Sequence, residues 1–263
     1  MTYSIIGNGN MGYFLAKRLS AAGHRCAGIY GRDEERTQSL ANEINTKAFD
    51  IKVAPPDEQA DICFLAVSDG AIAQIAPLLH FEKTILVHTS GSVSLQAIAT
   101  AAKHYGVFWP IYSILKHTIP NHRNIPCAYH CSSTTAQKHL LTVAHSLTDI
   151  VFEADDAKRQ QLHLSAVISN NFINHLLAIC ERICTEQQMP FDVLQPIIEQ
   201  TFDSIKRESP YSIQTGPARR GDTITMQQHQ NILAQHPEWQ QLYKVISASI
   251  ENMYTSNAIK KEL

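Results

Sequence analysis

What the chain is short of excludes most classes of function. No apolar run approaches the ~18 residues that a membrane-spanning helix needs. The 22 Lys and Arg against 24 Asp and Glu leave a net charge of −2, so there is no basic excess to hold a polyanion. The cations are also scattered rather than gathered on one face. Cys-x-x-Cys pairs and a His-Glu-x-x-His pattern are both lacking. The six cysteines, Cys26, Cys63, Cys127, Cys131, Cys180 and Cys184, stand at wide or helical spacings that read as buried thiols. The thirteen histidines offer no metal-ligand spacing. Nucleic acid, membrane and metal are therefore not expected partners. Internal repeats and low-complexity stretches are absent too. The first residues run straight into a strand with no charged n-region or cleavage site, which sets the expectation of a cytoplasmic protein.

What is there is an alternation. Residues 3–7 form a short apolar run ending in glycine, and 11–22 carry Met11, Phe14, Leu15 and Leu19 at helical spacing. A second strand is expected over 24–30 and a helix over 33–44, whose acidic first turn suits the positive end of its dipole. "ADICFLAV" (60–67) and "KTILVHT" (83–89) are continuous apolar runs of the kind found in parallel strands buried on both faces, with a helix over "GAIAQIAPLL" between them. Short strands are expected at 106–109, 127–131 and 149–154, and a helix at 135–147. From Asp155 the pattern becomes helical only, opening with about thirty residues free of glycine and proline. The expected fold is α/β: a doubly wound Rossmann domain over 1–154, then an all-helical domain over 155–263. The later helices have too little mutual cover to bury every apolar side chain, so a homodimer through the helical half is expected.

One local sequence carries chemistry. Gly7, Asn8, Gly9, Asn10, Met11 and Gly12 spell G-N-G-N-M-G between a strand and a helix. Gly7 permits the tight turn, Gly9 lets backbone approach a pyrophosphate, and Gly12 lets the helix pack close to the strand. The pyrophosphate then rests on the helix N-terminus. A site for NAD normally has an acidic residue after its second strand, but Tyr30, Gly31 and Arg32 occupy that place here. Arg32 offers a planar fork of donors to a 2′-phosphate, Gly31 leaves room for it, and Arg36 one turn on can join. Asp33 is expected to cap the next helix. NADP is the expected cofactor, with NAD second.

With these residues placed, the chain resembles the superfamily of pyrroline-5-carboxylate reductase, ketopantoate reductase and the β-hydroxyacid dehydrogenases. It is closer still to a less characterised branch of Rossmann-like NADP oxidoreductases. The matching segments are "GNGNMG", "IYGRDEE", "DICFLAVSDGAI", "VHTSGSVSL", "LHLSAVISNNF" and "TGPARRGD". The resemblance implies a helical second domain like the C-terminal domain of 6-phosphogluconate dehydrogenase. It also implies that Val67 and Ser68 approach the nicotinamide half of the cofactor, and that His88, Thr89, Ser90 and Gly91 lie beside the reactive ring. Such turn residues also serve purely local hydrogen bonding.

For the proton and the substrate oxygen, His163 and Asn171 are the candidates, eight residues apart on one side of the long helix, with Ser90 a third. Two departures bear on the substrate. The position four before Asn171 is Val167, where β-hydroxyacid dehydrogenases have a catalytic lysine. The small Ser/Gly/Pro-rich substrate turn of pyrroline-5-carboxylate reductase is also missing. Arg219 and Arg220 in "QTGPARRGDTI" are left as either a carboxylate or phosphate clamp or solvated surface. The expected function is NADP-dependent reduction of a small carbonyl or imine compound. Two alternatives stay open: a dinucleotide-binding sensor or scaffold without turnover, and a deazaflavin-dependent reductase.

Overall fold

The computed structural model describes residues 1–56 and 58–259. It forms two compact units, Met1–Phe172 and Ile173–Leu263. By compactness, then, the start of the long helical stretch, up to Phe172, lies with the sheet and not with the later helices.

The first unit is built on eight strands: β1 (Thr2–Ile6), β2 (Arg25–Gly31), β3 (Ala48–Asp50), β4 (Ile62–Leu65), β5 (Ile85–His88), β6 (Tyr105–Pro110), β7 (Cys127–Cys131) and β8 (Val151–Glu153). Their order across the sheet is β3-β2-β1-β4-β5-β6-β7-β8. Neighbours are parallel except β6 and β7, which pair antiparallel. The helices are α1 (Asn10–Ala21), α2 (Glu34–Glu43), α3 (Asp69–Ile75), α4 (Thr134–Leu147) and α5 (Asp156–Ala166).

The apolar runs read from sequence alternate faces within the sheet. Ile62 and Phe64 of β4 and Ile85 and Val87 of β5 join Leu15, Leu19, Leu40 and Leu140 from α1, α2 and α4 in one buried cluster. Cys63, Leu65 and Leu86 face the other way, into a second cluster with Ile72 of α3 and Ile98. Covered on both faces, these strands have no solvent side that would call for polar alternation. The strand order reverses at β1, whose neighbours β2 and β4 are reached by crossovers on opposite sides. The crevice at the carboxyl ends of β1 and β4 is where such sheets bind ligands.

Beyond Ala166 the helix changes pitch. Val167–Phe172 is a π-helical segment, followed by α6 (Ile173–Glu186). The expected thirty-residue helix is thus helical throughout but carries a widened turn, a feature that often marks functional sites. The second unit continues with α7 (Gln195–Ser204), the short α8 (Pro217–Arg220), α9 (Thr223–Ile232) and α10 (Pro237–Ile259). Asp222 caps α9, accepting from the Thr225 N–H at 3.1 Å, as expected. Arg219 lies over the Tyr254 ring at 4.3 Å and is occupied within its own unit.

Few apolar side chains of this second unit are covered. Among the described residues, Cys184, Ala218, Met226 and Tyr254 are buried. Met189, Val193, Ile197, Ile205, Ile224 and Ile232 are largely exposed.

Candidate functional site

The glycine turn is set by two contacts that leave no space for side chains. Gly7 has φ +117°, a conformation side chains disfavour, and a Cβ there would lie 2.1 Å from the Ala66 carbonyl oxygen at the end of β4. A Cβ at Gly12 would lie 2.1 Å from the Gly7 oxygen, so α1 starts hard against the turn. Gly9 is different: nothing lies within 4 Å of its Cβ position. That open space borders a cleft of about 720 Å³, lined by Gly7, Asn8, Gly9, Asn10, Met11, Tyr30, Gly31, Arg32, Val67 and Ser68 among others. Ten of the twelve residues expected to bind the cofactor therefore share one cleft, while Gly12 and His88 lie outside its lining. Helices α2, α4, α5 and α9 have their first turns capped by Asp or Ser side chains. Helix α1 has no side-chain cap and no acid in its first turn. Its free N–H groups and the positive end of its dipole remain open to an anion at the cleft.

The rim after β2 is organised by Asn8. Its amide donates to the Thr37 hydroxyl at 2.9 Å and to the Asp33 carbonyl at 3.2 Å, tying the glycine turn to the start of α2. A Cβ at Gly31 would come within 2.3 Å of Thr37 Oγ1 and 2.8 Å of Asn8 Nδ2. Glycine at 31 is therefore demanded by this internal hydrogen bond, a different reason from the phosphate clearance read from sequence. Asp33 caps α2, accepting from the Arg36 N–H at 3.0 Å, and also pairs with Arg36 Nε at 3.2 Å. Arg36 lines the cleft as well, with Asp33 as its ion-pair partner. Arg32 is exposed and has no hydrogen-bond or ion-pair partner among the described residues, yet it lines the cleft.

A second pocket, of about 600 Å³, gathers two of the three catalytic candidates, with Ser90 outside its lining. His163 and Asn171 both line it, with Trp109, Tyr112, Ser113, Ser169 and Asn170. The π segment supplies Ser169, Asn170 and Asn171 to this wall. The His163 and Trp109 rings lie 5.6 Å apart. Tyr112, Ser113 and Asn170 were missed from sequence: the first two sit in an irregular stretch after β6, and an asparagine beside another asparagine carries no spacing signal.

Two segments join the pocket to the cleft. Gly91 lies against His163 and Trp109, where a Cβ would be 2.6 Å from an atom of each ring. One residue on, the Ser92 hydroxyl donates to Asp69, which follows the cleft residue Ser68. On the other side the Lys116 N–H donates to Asn10 of the cleft at 3.3 Å.

Ser90 is buried, and its Oγ accepts from the Ser92 and Val93 N–H groups at 3.1 and 3.0 Å, holding this loop. His88 is fully buried and its Nδ1 accepts from the Ser90 N–H at 3.3 Å. Burial, helped by the nearby Arg159 charge, pushes its pKa down to about 4. At neutral pH His88 is an uncharged imidazole that braces the loop, in keeping with the local reading of these turn residues.

The fold and the open α1 terminus define a dinucleotide-binding oxidoreductase scaffold. Residues 2–91 match the family described as NADP oxidoreductase, coenzyme F420-dependent, and residues 125–250 match a domain of unknown function. A protein from Bacteroides fragilis named as a putative NADP oxidoreductase is 31% identical, with TM-score 0.88, over 95% of this chain and 98% of its own. The chain belongs to this NADP oxidoreductase family and is an oxidoreductase. The fold is shared with pyrroline-5-carboxylate reductase of Streptococcus pyogenes (16% identity, TM-score 0.64, 96% and 98% covered). It is also shared with an imine reductase variant of Myxococcus stipitatus in complex with NAD+ (15%, 0.59, 95% and 94%). No curated protein matches the chain. Among the described residues no helix is long and apolar enough to cross a membrane.

The depressed pKa of His88 has a measurable consequence. Its unfolded form takes up a proton near pH 6.5 and its folded form only near pH 4. The stability linked to its neutrality is therefore complete above about pH 6.5 and is lost as pH falls toward 4, by up to ~3 kcal/mol. Urea unfolding at pH 7 and pH 4.5 should show an acid loss smaller by ~2 kcal/mol in His88→Asn than in the wild type. An equal loss in both proteins contradicts the assignment.

Proposed function

We propose that the protein is a cytoplasmic, homodimeric, NADP-dependent reductase of a small carbonyl or imine compound. The observation that carries this reading is the joining of two sites in one unit: the glycine cleft with its unpaired Arg32, and the pocket where His163 and Asn171 meet. The cleft's residues fit a phosphorylated dinucleotide, since Gly9 leaves the backbone open and α1 presents uncapped N–H groups. The first turn of α1 holds the pyrophosphate, Arg32 holds the 2′-phosphate, and Val67 and Ser68 border the nicotinamide half. When bound, the cofactor supplies a hydride.

The chain's own residues orient and protonate. The Asn171 amide holds the substrate oxygen or nitrogen, the His163 imidazole delivers a proton to that atom, and Trp109 screens one side from water. Ser90 acts by fixing the loop under this pocket rather than by touching substrate. Arg219, held over Tyr254, stays with the helical fold. Two of the proteins that share the fold are named as a pyrroline-5-carboxylate reductase and an imine reductase, which supports a C=N or C=O acceptor here. The description of the family over residues 2–91 favours one second reading, a deazaflavin as the acceptor in the second pocket.

The six free cysteines suit a reducing compartment. The exposed apolar side chains of the helical unit suit a second copy of the chain. Light scattering at micromolar concentration should give twice the chain mass, and a stable monomer rejects the dimer.

The wild type should bind NADPH roughly ten- to hundredfold more tightly than NADH, the worth of a hydrogen bond to a charged group. Titration of both into Arg32→Ala should show that preference gone, and its survival assigns discrimination to another residue. Oxidation of NADPH across a panel of keto acids, cyclic imines and a deazaflavin tests turnover. On whichever acceptor reacts, His163→Ala should lower turnover by ~10²–10⁴ with NADPH affinity unchanged. Unchanged turnover in that variant removes His163 from the reaction.

A further inference from the structure

A polar network ties the start of α5 to the segment that follows Gly91. Arg159 of α5 is a fully buried arginine, with no exposed side-chain surface. Only its Nη2 is paired, donating to the Val93 carbonyl and, at 2.8 Å, to Asp156 Oδ1. Its Nε and Nη1 are buried without a hydrogen-bond partner among the described residues. A buried guanidinium in this state is a poor source of stability, because its unpaired donors have lost water and gained nothing. Its presence here calls for another explanation.

Its partners supply one. Asp156 accepts from the Ser94 hydroxyl at 2.5 Å and from the Leu95 N–H at 3.1 Å. Gln160 donates to the Ser92 carbonyl at 3.3 Å. Four successive loop residues, Ser92 to Leu95, are thus held by the first turns of α5. Next to them stands Gly91, pressed against His163 and Trp109. His163 is four residues beyond Arg159, on the same face of the same helix.

We propose that Arg159 and Asp156 are positioning residues, which lock α5 about its axis to the 92–95 segment and thereby hold the His163 ring between Gly91 and Trp109. The proposal rests on the reading of His163 as the proton donor. Rotation of α5 by a few tens of degrees would swing the imidazole away from the pocket wall without unfolding the helix. Arg159 itself does not touch the pocket, since its guanidinium faces Val93 and Asp156.

Trp109 reports the placement directly, without a substrate. Its only companion tryptophan is Trp239, which stacks on His236 at 4.0 Å, so the measurement is made on the full chain with Trp239→Phe. A protonated imidazole held against an indole quenches its emission, so a drop in emission on acidification that depends on His163 reports the ring's place beside Trp109. The other titratable groups of this region are His88 on β5, His130 on β7, and Asp156 on α5 with Arg159 beside it. His163→Ala should abolish the step, which assigns it.

In Arg159→Met, and separately in Asp156→Asn, the amplitude of the step should fall at least about twofold, while circular dichroism and the melting transition show a folded protein. A full-amplitude step in either folded variant overturns the proposal. So does a shifted midpoint at full amplitude, which reports lost charge and not lost position. If Arg159→Met does not fold, Asp156→Asn decides alone, because it keeps shape and volume. The emission step tests where His163 is held and turnover of His163→Ala tests what it does, so the two readings fail separately.

Discussion

At the end of β1 the backbone passes so close to the end of β4 that a single carbon atom would not fit between Gly7 and Ala66. This approach is what lets the strand break off, turn at positive φ and release α1 directly over the crevice where the sheet order reverses. Gly12 repeats the demand one helical turn later, bringing α1 down onto the turn. Had either position carried a side chain, the helix N-terminus would be displaced from the cleft and its free N–H groups aimed elsewhere. The cleft opens at that junction, with Gly7, Asn8, Gly9 and Ala66 in its lining.

The polar groups around the junction divide their work. Asn8 is spent on Thr37 and Asp33, and Asp33 on α2 and Arg36. Each of these bonds stabilises the rim, and together they leave Arg32 as the cation without a partner at the cleft. On the far side, the 88–95 loop is held by its own His88 and Ser90 and by Asp156 of α5, which accepts from Ser94, while His88 Nε2 is buried without a hydrogen-bond partner among the described residues. A braced loop and an unpaired cation differ in what they leave over: the first fixes a wall, and the second keeps its donors open at the cleft.

Much of this was legible in the residues. Continuous apolar runs are a strong signal for doubly covered parallel strands, and β1, β2, β4, β5 and the glycine turn fall where they were read. Helix caps at Asp33 and Asp222 were legible for the same reason, a short acceptor before a helical pattern. Strand β3 was not, because three residues ending in Asp50 carry no periodicity. Nothing local shows that β7 runs antiparallel to β6. The π segment was hidden as well, since its residues fit an α-helical pattern until the pitch is seen. His163 and Asn171 were found by chemistry and spacing, but Tyr112 and Ser113 reach the same pocket through tertiary placement alone. The hydrogen bond between Asn8 and Thr37 that leaves no room for a side chain at Gly31 was hidden in the same way, because it joins residues 29 apart in sequence.

The central claim is that one dinucleotide spans from the glycine cleft to the pocket of His163 and Asn171. A crystal structure of the protein with NADPH tests it most directly. The account predicts the pyrophosphate over the Gly9–Met11 backbone, the 2′-phosphate at Arg32, and the nicotinamide ring beside Ser68 with its reactive face open to His163. A cofactor whose nicotinamide end turns away from that pocket, or whose 2′-phosphate is held by other residues, would contradict it.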